Sequence, residues 1–184
     1  MKNKILVFLS RPNPFNQKQV NFINKLKRAL KVQNVETVTL QAGNYDLTDS
    51  LNYLKGIIRQ CYGMIIVSFH QYFIEKGYKK KDSENNPEFF YPQEIDVSGQ
   101  AITSPFCQIE GTIGLLYDLP LLIINEIGVR EEGIIKGGRF SVKTQNFKLS
   151  CIDDFFNSDE LKNKLAVWLG KVKEYYLFLN LKKI

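Results

Sequence analysis

Apolar residues along this chain occur either in short unbroken runs or at every third or fourth position. Ile5-Leu6-Val7-Phe8-Leu9, Met64-Ile65-Ile66-Val67-Ser68-Phe69 and Leu119-Pro120-Leu121-Leu122-Ile123-Ile124 are the unbroken runs. A run of that length without polar alternation predicts a strand buried on both faces. Val35-Glu36-Thr37-Val38-Thr39-Leu40 alternates instead and predicts a strand with one more exposed side. Between the first two of these strands, Val20, Ile23, Leu26 and Leu30 recur at helical spacing, with Lys25, Lys27, Arg28 and Lys31 on other faces. Pro12 and Pro14 hold that helix off until about Phe15. A second helix is expected from Asp49 or Ser50, turning Leu51, Leu54, Ile57 and Ile58 inward. Phe147-Lys148-Leu149-Ser150-Cys151-Ile152 alternates and is expected to be a last strand. Ser158-Asp159-Glu160 opens a long helix, about 158–180, through Leu161, Leu165, Trp168, Leu169 and Val172.

Strands alternating with helices predict one α/β domain over residues 1–184. Its core would be an open parallel sheet of about five strands with helices on both faces. Ligands of such sheets sit beyond the carboxyl ends of the strands, where strand order reverses. Three loops would gather there: 10–15, 68–103 and the lead-in to Pro105. The stretch 70–103 is polar, aromatic and charged, and reads as a long insertion after a buried strand.

Composition narrows the setting. The chain has 184 residues, 44% hydrophobic and 24% charged, ordinary values for a globular protein. No apolar run is long enough to span a bilayer, and the start lacks the features of a secretory signal, so a cytoplasmic setting is expected. Cys61, Cys107 and Cys151 are far apart, which argues against a disulfide framework and against a metal site. The net charge of +6 owes much to Lys79-Lys80-Lys81 and to Lys171, Lys173, Lys182 and Lys183. No zinc, helix-turn-helix or interleaved aromatic-basic motif accompanies it. The excess therefore reads as a solvated face that can attract anionic nucleotides, rather than as a nucleic-acid interface.

The chemistry concentrates in Ser104-Pro105-Phe106-Cys107-Gln108-Ile109-Glu110-Gly111-Thr112-Ile113-Gly114. Ser104 and Pro105 form a helix start, hydroxyl cap then proline. Phe106, Ile109, Ile113 and Leu116 are expected on one apolar face, with Cys107, Glu110 and Gly114 on the neighbouring one. Each interior glycine costs about 1 kcal/mol relative to alanine. Two interpretations follow. Either the glycines let the helix pack closely on the sheet with Glu110 solvated at the rim, or they leave room above a desolvated Glu110 for a ligand.

The seven residues from Ser104 to Glu110 resemble the S-x-W-C-x-x-E stretch of TIR domains, with Phe106 in the place of the commoner tryptophan. The run ending at Ser10, the helix with Phe22 and Leu26, and Ile65-Ile66-Val67-Ser68 also fit the TIR order, over residues 4 to 155. The resemblance implies a flavodoxin-like fold. It also implies that Glu110 is the catalytic residue of an NAD glycohydrolase or cyclase of bacterial antiphage defence. NAD would be the substrate, with no cofactor and no metal. Self-association and a partner defence protein are implied as well. The chain departs from the family at Ser10-Arg11-Pro12-Asn13-Pro14-Phe15 and in the length of its insertion. Expected substrate contacts are Ser10, Arg11 (to phosphate), Phe15 and Phe106 (stacking on a base), Asp46, Ser68, His70 and Ser104. Two alternatives stay open. One is a nucleoside 2-deoxyribosyltransferase or nucleotide N-hydrolase, whose D-x-G-T-x-x-E lead-in is missing here. The other is a non-catalytic module that senses a nucleotide or self-assembles.

Overall fold

The computed structural model describes residues 4–40, 50–84, 86, 88, 93–139 and 141–181. The chain runs β1 (Ile5–Ser10), α1 (Gln17–Val32), β2 (Val35–Val38), α2 (Ser50–Ile58) and β3 (Met64–Ser68). There follow four two-residue strands, β4 (Tyr72–Phe73), β5 (Tyr78–Lys79), β6 (Ile95–Asp96) and β7 (Ala101–Ile102). Then come α3 (Pro105–Leu116), β8 (Leu121–Asn125), a 3-10 turn (Gly133–Lys136), β9 (Ser141–Lys143), α4 (Ile152–Asn157) and α5 (Asp159–Leu181).

Five strands form one sheet in the order β2-β1-β3-β8-β9, all parallel. Order reverses between β1 and β3, which fixes the switch point there. Register places alternate residues on opposite faces. Val7, Leu9, Ile65, Val67, Leu122 and Ile124 face α1 and α5 and pack with Phe22, Leu26, Trp168 and Val172. Phe8, Met64, Ile66, Leu121 and Ile123 face the other way and pack with Leu54, Ile58, Cys107 and Ile113 of α2 and α3. The unbroken apolar runs are the strands buried from both sides, as the pattern demands.

Three local expectations are corrected. The last strand is Ser141–Lys143, not 147–152. Phe147 touches the sheet through a single bridge to Glu126 and instead stacks on Phe22 at 4.2 Å, inside an aromatic cluster with Phe69 and Phe155. Ile152 then begins α4. Leu51 is 54% exposed, while Leu54 and Ile58 of α2 are buried as expected. On α3 the expected apolar face points largely outward: Phe106, Ile109 and Leu116 are exposed, and Ile113 alone of that face is buried, with Cys107, Glu110, Gly111 and Gly114.

The reason lies in the glycines. A Cβ at Gly111 would stand 2.7 Å from Ile66 Cδ1 and 2.9 Å from Ile134 Cγ1, and one at Gly114 would stand 2.8 Å from the Met64 thioether. α3 presses its glycine seam onto β3, and the space beside Glu110 on this side is filled by core. Close packing was the right interpretation of the glycines; a solvated glutamate was the wrong companion to it.

The described part of 70–103 is a folded arm. β4 pairs with β7 and β5 with β6, both antiparallel. The arm is tied to the segment after β8: Ala101 N–H donates to Gly128 O at 2.9 Å, Arg130 N–H donates to Ala101 O at 2.8 Å, and Lys79 pairs with Glu132 at 2.6 Å.

Candidate active site

Glu110 occupies the second turn of α3 and is 5% exposed. Ser104 caps the helix as expected, its hydroxyl accepting from Phe106 N–H at 3.2 Å with Pro105 in the first turn. That start fixes the helix rotation and carries the glycine seam, and with it Glu110, down toward the end of β1. There Ser10 Oγ donates to Glu110 Oε2 at 2.5 Å. Burial pushes the carboxyl up to about 7; the Ser10 hydrogen bond and the positive charge of Arg11 pull the other way and do not prevail.

Arg11 follows Ser10 directly. Its Nη1 donates to Pro12 O at 3.0 Å, and its Nε is buried without a partner. Burial lowers its pKa, opposed by the charge of Glu110. Cys107, one turn before Glu110, is buried, and burial together with Glu110 raises its thiol to about 12. A thiol held protonated is a poor nucleophile.

On the inward face three strands end in polar residues, Ser10 level with Ile66 and two residues short of the Ser68–Asn125 pair. Following the α3 side along each strand, Phe8 is succeeded by Ser10, Ile66 by Ser68 and Ile123 by Asn125. All three are fully buried. Ser68 and Asn125 are register partners, and Ser68 Oγ and Asn125 Oδ1 have no hydrogen bond, whereas the Thr103 hydroxyl just before α3 interacts with the Cys107 thiol. The Asn125 amide is oriented by its other end, Nδ2 donating to Val129 O at 3.2 Å and Glu131 Oε1 at 3.4 Å. Lys143 and Asn146 hold Glu131 in turn, and those contacts keep its carboxyl below its ordinary value. Buried polar atoms are almost always paired. The two oxygens of Ser68 and Asn125, at the carboxyl end of a parallel sheet, could take polar groups of a ligand or of water.

A second cluster borders the first. Glu126, 7% exposed, accepts from His70 N–H at 3.0 Å, and its Oε2 lies 3.0 Å from His70 Nδ1. Phe15 stands edge-on to the His70 ring, centroids 5.1 Å apart. The β1–α1 loop is itself pinned, since Phe15 N–H donates to Gln19 Oε1 at 3.1 Å and Asn16 caps α1 through Gln19 N–H.

Of the residues expected from sequence, the structure brings Ser10, Arg11 and Glu110 together, sets Ser68 at the same end of the sheet in register with Asn125, and joins Phe15 to His70. Ser104 serves as a cap, and Phe106 is an exposed ring one helical turn before Glu110. Asp46 lies outside the described residues. Thr103, Asn125 and Glu126 were missed. The last two directly follow an apolar strand, and that position at a sheet's carboxyl edge was the signal for them. Four cavities of about 280 to 510 Å³ lie elsewhere; the one of about 340 Å³ borders the outer side of α3, at Thr112, Leu115 and Ile134, and none of the four is lined by Glu110. Among the described residues no cluster of three metal-ligating side chains occurs, and no helix is long and apolar enough to cross a membrane.

No family model matches the chain, and no curated protein matches it. Among solved structures, a Clostridium botulinum CMP N-glycosidase aligns over 89% of this chain and 98% of its own, with 13% identity and a TM-score of 0.49. Likeness that weak carries no argument about activity.

Proposed function

We propose that the chain is a nucleotide N-glycosidase in which Glu110 acts on the ribosyl carbon, with NAD as the substrate that the TIR-like stretch favours. The observation that carries this reading is a single carboxylate, buried at the switch point of the sheet, with its pKa raised to about 7 and one oxygen held by Ser10.

The chemistry asks for such a group. Nicotinamide leaves as a neutral molecule from a positively charged N-glycoside, so the sugar passes through an oxocarbenium-like state. A carboxylate in a low-dielectric setting attracts that cation more strongly than one in water. It also competes well as a nucleophile that forms a glycosyl ester. Docking of a cationic pyridinium riboside beside Glu110 favours the ionised carboxylate, so the substrate itself brings the group into its working form. Ser10 fixes the orientation of the carboxylate. Arg11, whose guanidinium has spare donors, suits a phosphate of the same nucleotide. The orphan oxygens of Ser68 and Asn125 suit sugar hydroxyls, which both donate and accept.

The test is base release. Concentrated protein, so that any self-association is satisfied, is incubated with NAD and, separately, with deoxynucleosides and with nucleoside monophosphates. Nicotinamide release that Glu110→Gln lowers by about a hundredfold or more supports the reading. Base release from deoxynucleosides alone moves the assignment to a deoxyribosyltransferase. Saturable nucleotide binding without release makes the chain a sensing module. Full turnover by Glu110→Gln removes the glutamate from the reaction.

A further inference from the structure

We propose that His70 is a second catalytic residue, the base that accepts a proton from the attacking water, and that Glu126 is the residue that positions it. The proposal rests on the glycosidase reading above and extends it from bond cleavage to hydrolysis.

The argument starts from the tautomer. Glu126 is buried and offers one oxygen, Oε2, to two groups of the same residue, the backbone N–H and Nδ1 of His70. A carboxylate can only accept, so Nδ1 carries the proton, and in the neutral ring Nε2 is left bare as an acceptor. The backbone bond fixes where the residue sits and the side-chain bond fixes how the ring is turned. Phe15, edge-on at 5.1 Å, holds the ring from the β1–α1 side. The side chain of His70 keeps 36% of its exposure while that of Glu126 keeps 10%, so the imidazole reaches the surface and its partner is buried behind it. A carboxylate that orients a histidine through Nδ1 and leaves Nε2 to accept a proton is the arrangement of an oriented general base.

Its location supplies the rest. Ser68 lies two residues before His70 and Asn125 one residue before Glu126, and the two are register partners at the sheet edge with unpaired oxygens. The loop from Ser10 to Phe15 touches Glu110 at one end and His70 at the other. Base and carboxylate therefore flank the same loop at the same edge of the sheet.

The step balances without a further reactant. After the leaving base has gone, the sugar is held as an ester of Glu110. Water attacks the anomeric carbon; its proton passes to His70 Nε2 as the new C–O bond forms. The ester C–O bond breaks, and its electron pair returns to the Glu110 carboxylate. The proton on His70 then passes to solvent.

His70 is the one histidine in the sequence, so its imidazole nitrogens can be read by NMR in the tag-free protein without ambiguity. The expected result is the Nδ1-protonated tautomer, lost or mixed in Glu126→Gln. In kinetics, His70→Gln should slow steady-state turnover by about a hundredfold while leaving the first release of base nearly as fast as in the parent. A small exogenous nucleophile such as azide should then restore part of the turnover. An Nε2-protonated ring in the parent protein overturns the proposal, as does unaltered turnover in a folded His70→Gln. Loss of first base release and turnover together in that variant also overturns it, because the histidine then serves binding or cleavage. A chain that releases no base from any nucleotide overturns the glycosidase reading and the proton role with it, even where the tautomer is the one stated.

Discussion

Ser10 Oγ and Glu110 Oε2, one hundred positions apart in sequence, meet at 2.5 Å at the end of β1. This bond opposes burial, which dominates and lifts the carboxyl to about 7. Removing the hydroxyl should therefore lift it further. Ser10→Ala is expected to shift the acid limb of the activity profile to higher pH, because the proposed reaction uses the ionised carboxylate. A pH–rate series on both proteins checks this; a limb that stays in place or moves to lower pH contradicts it.

The same carboxyl makes stability depend on pH, in the direction opposite to most acids. Its folded pKa, about 7, lies above the ordinary 4.5, so the folded chain binds this proton more tightly than the unfolded chain. Stability from this group is fully present below about pH 4.5 and is lost as pH rises through about 7, by roughly 3 kcal/mol in all. Glu110→Gln abolishes that dependence. It should match the parent at low pH and melt higher at about pH 8, where the parent carries the buried charge. Thermal melts at both ends of the window decide the matter, and they need no substrate.

Ser68 provides a contrast between folding and function. Its hydroxyl is buried and unpaired, so Ser68→Ala should leave stability unchanged or slightly improved. In the proposed nucleotide cleavage the same change should raise KM, because there Ser68 would hold a sugar hydroxyl. A marked loss of stability with unaltered KM would show that the hydroxyl serves the fold alone.

The glycine seam predicts a ranking. At Gly111 an added methyl meets Ile66 and Ile134 at 2.7 to 3.0 Å. At Gly114 it meets chiefly the Met64 thioether, an adaptable neighbour, at 2.8 Å. Gly111→Ala should cost about 1–3 kcal/mol and Gly114→Ala less, despite alanine's better helix propensity. Denaturant titrations of the two variants measure the difference. Equal costs would mean that α3 lifts from the sheet as one body.

The apolar runs announced β1, β3 and β8 because both their faces are covered, and a strand covered on both sides needs no alternation to be recognised. β9 was illegible for the opposite reason. Ser141-Val142-Lys143 buries only its centre, whereas Phe147 to Ile152 alternates by accident of an aromatic cluster and a helix start. The facing of α3 was misjudged because side-chain hydrophobicity pointed one way and backbone proximity the other; Phe106 and Ile109 lost to two glycines that let β3 come closer. Glu110, Ser10 and Arg11 were readable from the strand-loop-helix order. Their long-range bond was not, since nothing local records which loop meets which helix. His70 was visible only as a solitary residue, because Glu126 reaches it from just past the end of β8, a strand that neighbours β3 in the sheet and is distant in the chain.

Because α3 rests on β3 with no spare distance, its carboxylate has no freedom to retreat. A bulkier neighbour at Ile66 or Met64 would tilt the whole helix and swing Glu110 off the Ser10 hydroxyl. Core volume and the position of this carboxylate are thus set together: a change of size in the hydrophobic interior here displaces Glu110 before it costs the chain its shape.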